Sequence, residues 1–114
     1  MAEFDGKVIL ITGGGTGLGA AIAVGTARRG AKVLLLNYSK SRKEAEATAK
    51  EVQAAGAEAV LVQGDVSEDA DCHKIAAAAA PYGKLDVLVN NAAVSRSHAE
   101  RDLLEDYWAI QRVN

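Results

Sequence analysis

The chain has 114 residues, a size that holds one hydrophobic core and excludes two full domains. A hydrophobic fraction of 49% with 25% charged residues excludes a disordered or fibrous chain, and a net charge of -2 gives no basic field for a nucleic acid. No apolar run approaches the ~20 residues that cross a bilayer, acids stand near the N-terminus where a secretory leader carries lysines, and Cys72 is alone, so a cytoplasmic protein without disulfides is expected.

The organising feature is a repeated opening: "GKVILI" from Gly6, "GAKVLLL" from Gly30, "GAEAVLV" from Gly56 and "GKLDVLV" from Gly83. Apolar residues at consecutive positions suit strands covered on both faces, as in parallel sheets flanked by helices. The openings lie 24 to 27 residues apart, room for a strand, a turn and a helix. Four βα units of an α/β fold are therefore predicted, with right-handed crossovers.

In chain order, the first strand runs into "ITGGGTGLGAA", where glycines allow a sharp turn and let a pyrophosphate approach the start of a helix. Gly15, Gly17 and Ala20 also satisfy the general G-x-G-x-x-A fingerprint, and the position between a buried strand and a helix makes a dinucleotide site the natural reading. The helix that follows should place Leu18 and Ile22 on one face among Gly19, Ala20, Ala23 and Ala27, and Gly30 should supply its left-handed cap. The second helix should begin with a capping box of Ser41 and Glu44 and bury Ala45, Thr48, Ala49 and Val52. A third should start at Ser67, with Glu68 and Asp69 favourable against its dipole, and pack an alanine face up to Pro81. His73 and His98 match no metal-ligand spacing, so no metal site is expected.

These motifs together resemble the short-chain dehydrogenases/reductases. Thr12-Gly13-x-x-x-Gly17-x-Gly19 matches the family's T-G-x-x-x-G-x-G, "GDV" at Gly64 to Val66 its D-V after the third strand, and "NNAA" at Asn90 to Ala93 its N-N-A-G after the fourth. Ala93 replaces the commoner glycine. The resemblance implies a Rossmann-type parallel sheet of order 3-2-1-4 with flanking helices, in a single dinucleotide-binding domain over residues 1–114. It further implies that Asp65 bonds the adenine amino group, that Val66 meets the ring through its backbone, and that Asn90 and Ala92, with Asn91 between them, border the cofactor ribose. Thr12, Gly13, Gly15, Thr16, Gly17, Leu18 and Gly19 form the expected phosphate turn.

For the cofactor, an NAD site usually places an acid at the end of the second strand. Here that stretch reads "LLLNYSKSRK", with no acid from Lys32 through Lys43. Asn37, Tyr38 and Ser39 are followed by Lys40 and Arg42, whose cationic donors suit a 2′-phosphate, so NADP(H) is favoured over NAD(H). Thr16 stands where NADP-preferring members often carry a basic residue, and a solvated helix start also accounts for Lys40, Arg42 and Lys43.

The resemblance also implies an Asn-Ser-Tyr-Lys tetrad whose asparagine is Asn114. The serine would hold the substrate carbonyl, the tyrosine would act as general acid/base assisted by the lysine, and hydride would pass between nicotinamide and substrate carbon. Tyr38, Tyr82 and Tyr107 have Arg42, Asp86 and Gln111 four residues on, so none satisfies Tyr-x-x-x-Lys. The expectation is that residues 1–114 contain the cofactor half and stop before the catalytic half. Leu103, Leu104, Tyr107, Trp108 and Ile110 read as an apolar helix face, for which a second subunit or an intramolecular partner serves equally well.

Three functions stand at this point. The first is an NADP(H)-preferring oxidoreductase acting on a carbonyl/alcohol pair, with a 3-oxoacyl-carrier-protein reductase-like flavour. The second is a non-catalytic dinucleotide-binding or subunit-interaction module, and the third a methyltransferase using a related glycine turn.

Overall fold

The computed structural model describes residues 3–91. Ala92, Ala93, His98, the last predicted helix and Asn114 lie outside the described residues. Within them the chain runs β1 (Val8–Thr12), α1 (Gly17–Arg28), β2 (Val33–Tyr38), α2 (Arg42–Ala54), β3 (Glu58–Gln63), α3 (Asp69–Ala77), a 3-10 turn (Ala80–Tyr82) and β4 (Val87–Asn90). All pairings are parallel and the order is β3-β2-β1-β4, as the repeated units and the family resemblance predict. The glycines that open the four units, Gly6, Gly30, Gly56 and Gly83, all have positive φ, so the repeat is one of backbone conformation as well as composition.

The two central strands are buried throughout, and alternate residues feed two separate cores. Ile9, Ile11, Leu34 and Leu36 pack with Ala23, Val24, Ala27, Ala49 and Val52 of α1 and α2. Val8, Leu10, Val33 and Leu35 face the other way, against Val62, Val66, Ile75 and Ala79 beneath α3. Each buried Val, Ile or Leu contributes about 2 kcal/mol, so these eight strand side chains dominate the fold. At the opposite end of the sheet from the glycine turn, the Asp86 carboxylate accepts from Val8 N–H at 2.8 Å and pairs with Lys84 at 3.0 Å.

Several local expectations need correction. Leu18 is 67% exposed, because the buried face of α1 is Gly19, Ala23, Val24 and Ala27 and residue 18 lies beside that stripe. Ser41 makes no side-chain cap bond: its backbone, at φ −88° and ψ 62°, is off the extended geometry that brings a cap hydroxyl to the N–H groups of the first turn. The third helix is shorter than predicted, starting at Asp69 and ending at Ala77. In the alanine run only Ala79 is buried, while Ala76, Ala77 and Ala80 are exposed, since the chain tightens into a 3-10 turn before Pro81 and rotates off the helical stripe. The second helix buries Ala45, Thr48, Ala49 and Val52, as predicted. At the sheet's edge Leu88 of β4 is 40% exposed, and β4 pairs only with β1 among the described residues.

Candidate functional site

The strand order reverses direction between β1 and β4, since β2 follows β1 on one side while β4 arrives on the other. Ligands of open α/β sheets bind outside the carboxyl ends of the strands at such a switch point. The glycine turn stands there, between Thr12 and the start of α1 at Gly17.

Its frame is built from both neighbouring strands. On the β4 side, the Thr12 hydroxyl accepts from Asn91 N–H at 3.0 Å and lies 3.2 Å from Asn90 Oδ1. Asn91 Nδ2 donates to Gly13 O at 3.2 Å. On the β2 side, Asn37 holds the first two N–H groups of the turn, Gly13 through its side-chain Oδ1 at 3.4 Å and Gly14 through its backbone oxygen at 2.9 Å. The Asn37 amide also donates to Val62 O and Gly64 O, at 3.2 and 3.1 Å. At 2% exposure, with oxygen and nitrogen both bonded inside the protein, Asn37 braces the site and does not face it. That revises its predicted role from cofactor contact to support.

Close packing explains the glycines individually. A β-carbon on Gly15 would fall 2.9 Å from Ala45 Cβ, so α2 butts directly against the turn. Gly17 is different: its φ is +55° and nothing lies within 4 Å of its would-be β-carbon. Thr16, in extended conformation, makes no side-chain cap bond, and α1 carries no acid in its first turn. Among the described residues no acceptor meets the N–H groups of Thr16, Gly17 and Leu18. Such free donors at the positive end of a 12-residue helix favour an anion.

Around this turn the other predicted residues divide. Tyr38 is buried, and its hydroxyl accepts from Arg42 at 2.9 Å; Arg42 also pairs with Glu46 at 3.4 Å. These contacts hold the guanidinium over the end of β2, beside exposed Ser39 and Lys40. At the end of β3 the Ser67 hydroxyl and N–H both donate to Asp65 Oδ1, at 2.6 and 2.9 Å, and Asp71 Oδ2 accepts from Asp65 N–H at 2.7 Å. The Ser67 bonds, aided by the Lys40 charge, hold the Asp65 carboxyl below its ordinary 3.8 against the opposing effect of partial burial. Val66 turns its side chain into the core, while its carbonyl accepts from the Cys72 thiol at 3.1 Å. Sequence reasoning missed one member of the frame: Thr48 of α2, whose hydroxyl donates to Gly15 O at 2.9 Å. The available signal was a hydroxyl inside an otherwise apolar helical stripe.

A family model described as short chain dehydrogenase matches residues 7–113. The chain belongs to the short-chain dehydrogenase family. Short-chain dehydrogenase/reductase homolog YusS of Bacillus subtilis strain 168 is 45% identical over 100 residues, spanning 87% of this chain and 90% of that protein. Versicolorin reductase 1 of Aspergillus parasiticus is 41% identical over 114 residues, spanning 98% of this chain but only 43% of that relative. Among solved structures, levodione reductase superposes with a TM-score of 0.82 at 30% identity, over 97% of this chain and 47% of that one. A Burkholderia cenocepacia protein classed as a dehydrogenase and solved with bound NADP gives 0.77 at 33% identity, over 91% and 42%. The chain thus spans less than half the length of these last three.

Proposed function

We propose that the protein is an NADP(H)-preferring oxidoreductase that moves a hydride between the nicotinamide and a carbonyl/alcohol substrate, and that residues 1–114 form its cofactor-binding domain. The observation that carries this reading is the unfilled first turn of α1, with free N–H donors and open space at Gly17, beside the cationic end of β2. When bound, the nicotinamide supplies the hydride chemistry.

The chain's own groups bind and orient. The backbone from Gly15 to Gly19 receives the diphosphate, and the N–H groups of Thr16 and Leu18 donate to it. Lys40 and the remaining guanidinium donors of Arg42, with Ser39, receive the 2′-phosphate, and the buried Tyr38 offers no carboxylate to repel it. Asp65 keeps Oδ2 without a partner among the described residues, available to accept from the adenine amino group, while the Val66 backbone borders the ring. Asn90, Asn91 and Ala92 border the ribose, and Asn114 helps place a water in the proton path. The protein is proposed to be cytoplasmic and to act as a homo-oligomer. No helix among the described residues is long and apolar enough to cross a membrane.

Calorimetric titration with NADPH, NADH and S-adenosylmethionine, followed by turnover assays with a panel of aldehydes and ketones, tests this reading. NADPH should bind at least about tenfold more tightly than NADH, a difference of ~1.4 kcal/mol. Equal affinities would overturn the cofactor preference, dinucleotide binding without turnover would establish the module reading, and selective binding of S-adenosylmethionine would overturn the dehydrogenase reading.

A further inference from the structure

Thr48 sits in the second turn of α2, 6% exposed, and is separated from the glycine turn by 33 residues of chain. Its hydroxyl donates to Gly15 O at 2.9 Å, and Ala45, one turn earlier on the same face, packs against Gly15 so closely that no β-carbon fits between them. The Gly15 carbonyl is therefore drawn into the protein. The Gly15–Thr16 peptide is trans, and in a trans peptide the N–H points opposite to the carbonyl. Turning the Gly15 oxygen inward toward α2 thus turns the Thr16 N–H outward, at the N-cap of α1, where no described residue accepts from it.

We propose that Thr48 is a positioning residue for cofactor binding: by holding Gly15 O it aims the Thr16 N–H at a phosphate of the dinucleotide. The inference rests on the dinucleotide-binding reading and assigns part of that site to a helix that does not itself touch the ligand. Without the hydroxyl, the Gly15 carbonyl is a buried acceptor with no donor, and the peptide gains by rotating toward water. Rotation carries the Thr16 N–H away from the anion.

The test uses the whole protein with three probes, NADPH, NADH and phosphate-free adenosine, titrated into wild type, Thr48→Val and Thr48→Ser. Valine keeps the shape and removes the hydroxyl, whereas serine keeps the hydroxyl. Thr48→Val should bind NADPH about tenfold more weakly, the scale of one hydrogen bond, with adenosine affinity unchanged and Thr48→Ser close to wild type. In turnover, KM for the cofactor should rise while kcat stays within about twofold. An equal loss for NADH places the contact on the diphosphate, and a loss confined to NADPH places it on the 2′-phosphate; both support the proposal. Unchanged NADPH affinity in Thr48→Val, or an equal weakening of adenosine, overturns it. If the valine variant does not fold, wild type carries the test by NMR: the Thr16 amide should shift with NADPH and stay put with adenosine, and an amide that ignores NADPH overturns the proposal. A wild type that binds neither dinucleotide overturns the functional reading and this proposal together, while intact wild-type binding with an unaffected valine variant overturns the proposal alone.

Discussion

The Gly13 carbonyl oxygen occupies the space where Gly19 would carry a side chain: a β-carbon there would lie 2.1 Å from that oxygen and 2.8 Å from Asn91 Nδ2. The end of β1 and the first turn of α1 therefore meet backbone to backbone, with the Asn91 amide locking the contact. The nearer colliding atom is backbone and cannot swing aside, and the Asn91 amide is held in place by its bond to the same carbonyl. Gly19→Ala should destabilise the fold by about 2 kcal/mol, the cost of overpacking a tight contact, and urea denaturation measures it. A loss below ~0.5 kcal/mol would mean that this turn opens easily.

Gly17 should behave in the opposite way. A methyl group there meets open space, so the cost to stability is the left-handed backbone alone, about 1 kcal/mol. In the proposed binding mode the same methyl projects where the diphosphate approaches. Gly17→Ala should therefore lose about a hundredfold in NADPH affinity while remaining folded, as calorimetry and thermal melting together would show.

Asn37 joins the turn to the end of β3 through three side-chain bonds. Asn37→Ala should cost about 2–3 kcal/mol, because Gly13 N–H, Val62 O and Gly64 O lose their partner together. Asn37→Asp should fare no better, since a carboxylate cannot donate to two carbonyls. Chemical denaturation of both variants distinguishes this bracing role from a surface contact, which would leave stability within ~0.5 kcal/mol.

Lys40 and Arg42 are predicted to read the 2′-phosphate. The double variant Lys40→Ala/Arg42→Ala should raise KM for NADPH roughly tenfold and leave KM for NADH within about twofold. Added salt should narrow the wild-type preference, because both side chains are exposed. Equal effects on the two cofactors would place these residues outside the phosphate site.

Asp86 makes stability depend on acid. The Val8 N–H, and after it Lys84, stabilise its carboxylate and depress its pKa below the ordinary 3.8. For a carboxyl with a lowered folded-state value, the stabilisation is complete above the unfolded pKa and vanishes as pH falls through the folded one. Wild type should therefore lose melting temperature progressively below about pH 4, and Asp86→Asn should show a shallower slope there. Parallel slopes would refute the assignment.

Much of this architecture is legible along the chain. Runs such as "VILIT" and "VLLLNY" have no polar face to offer water, so they must lie at the centre of a covered sheet, and a glycine before each run marks the turn that reverses the chain. The stripe Ala45, Thr48, Ala49 and Val52 likewise announces a buried helix face, because periodicity alone determines which side of a helix is apolar. The glycine turn and the bare end of the second strand were readable for the same reason: both are local, and their chemistry follows from neighbours in sequence.

What only the tertiary structure decided is where polar groups find their partners. Asn37 looks like a residue aimed at the cofactor, yet it turns inward because β3 brings the carbonyls of Val62 and Gly64 beside it, 25 and 27 residues further on. Ser41 and Glu44 have the spacing of a cap but not the backbone angles. Leu18, apolar and early in its helix, is left outside because α1 presents its small residues to the sheet. Thr48 becomes part of the site only when α2 folds back over the turn at Gly15. Sequence patterns specify which face of an element is buried; a hydrogen bond between distant residues requires the crossover that brings them within bonding reach, and that geometry exists only once the sheet and both its helix layers have assembled.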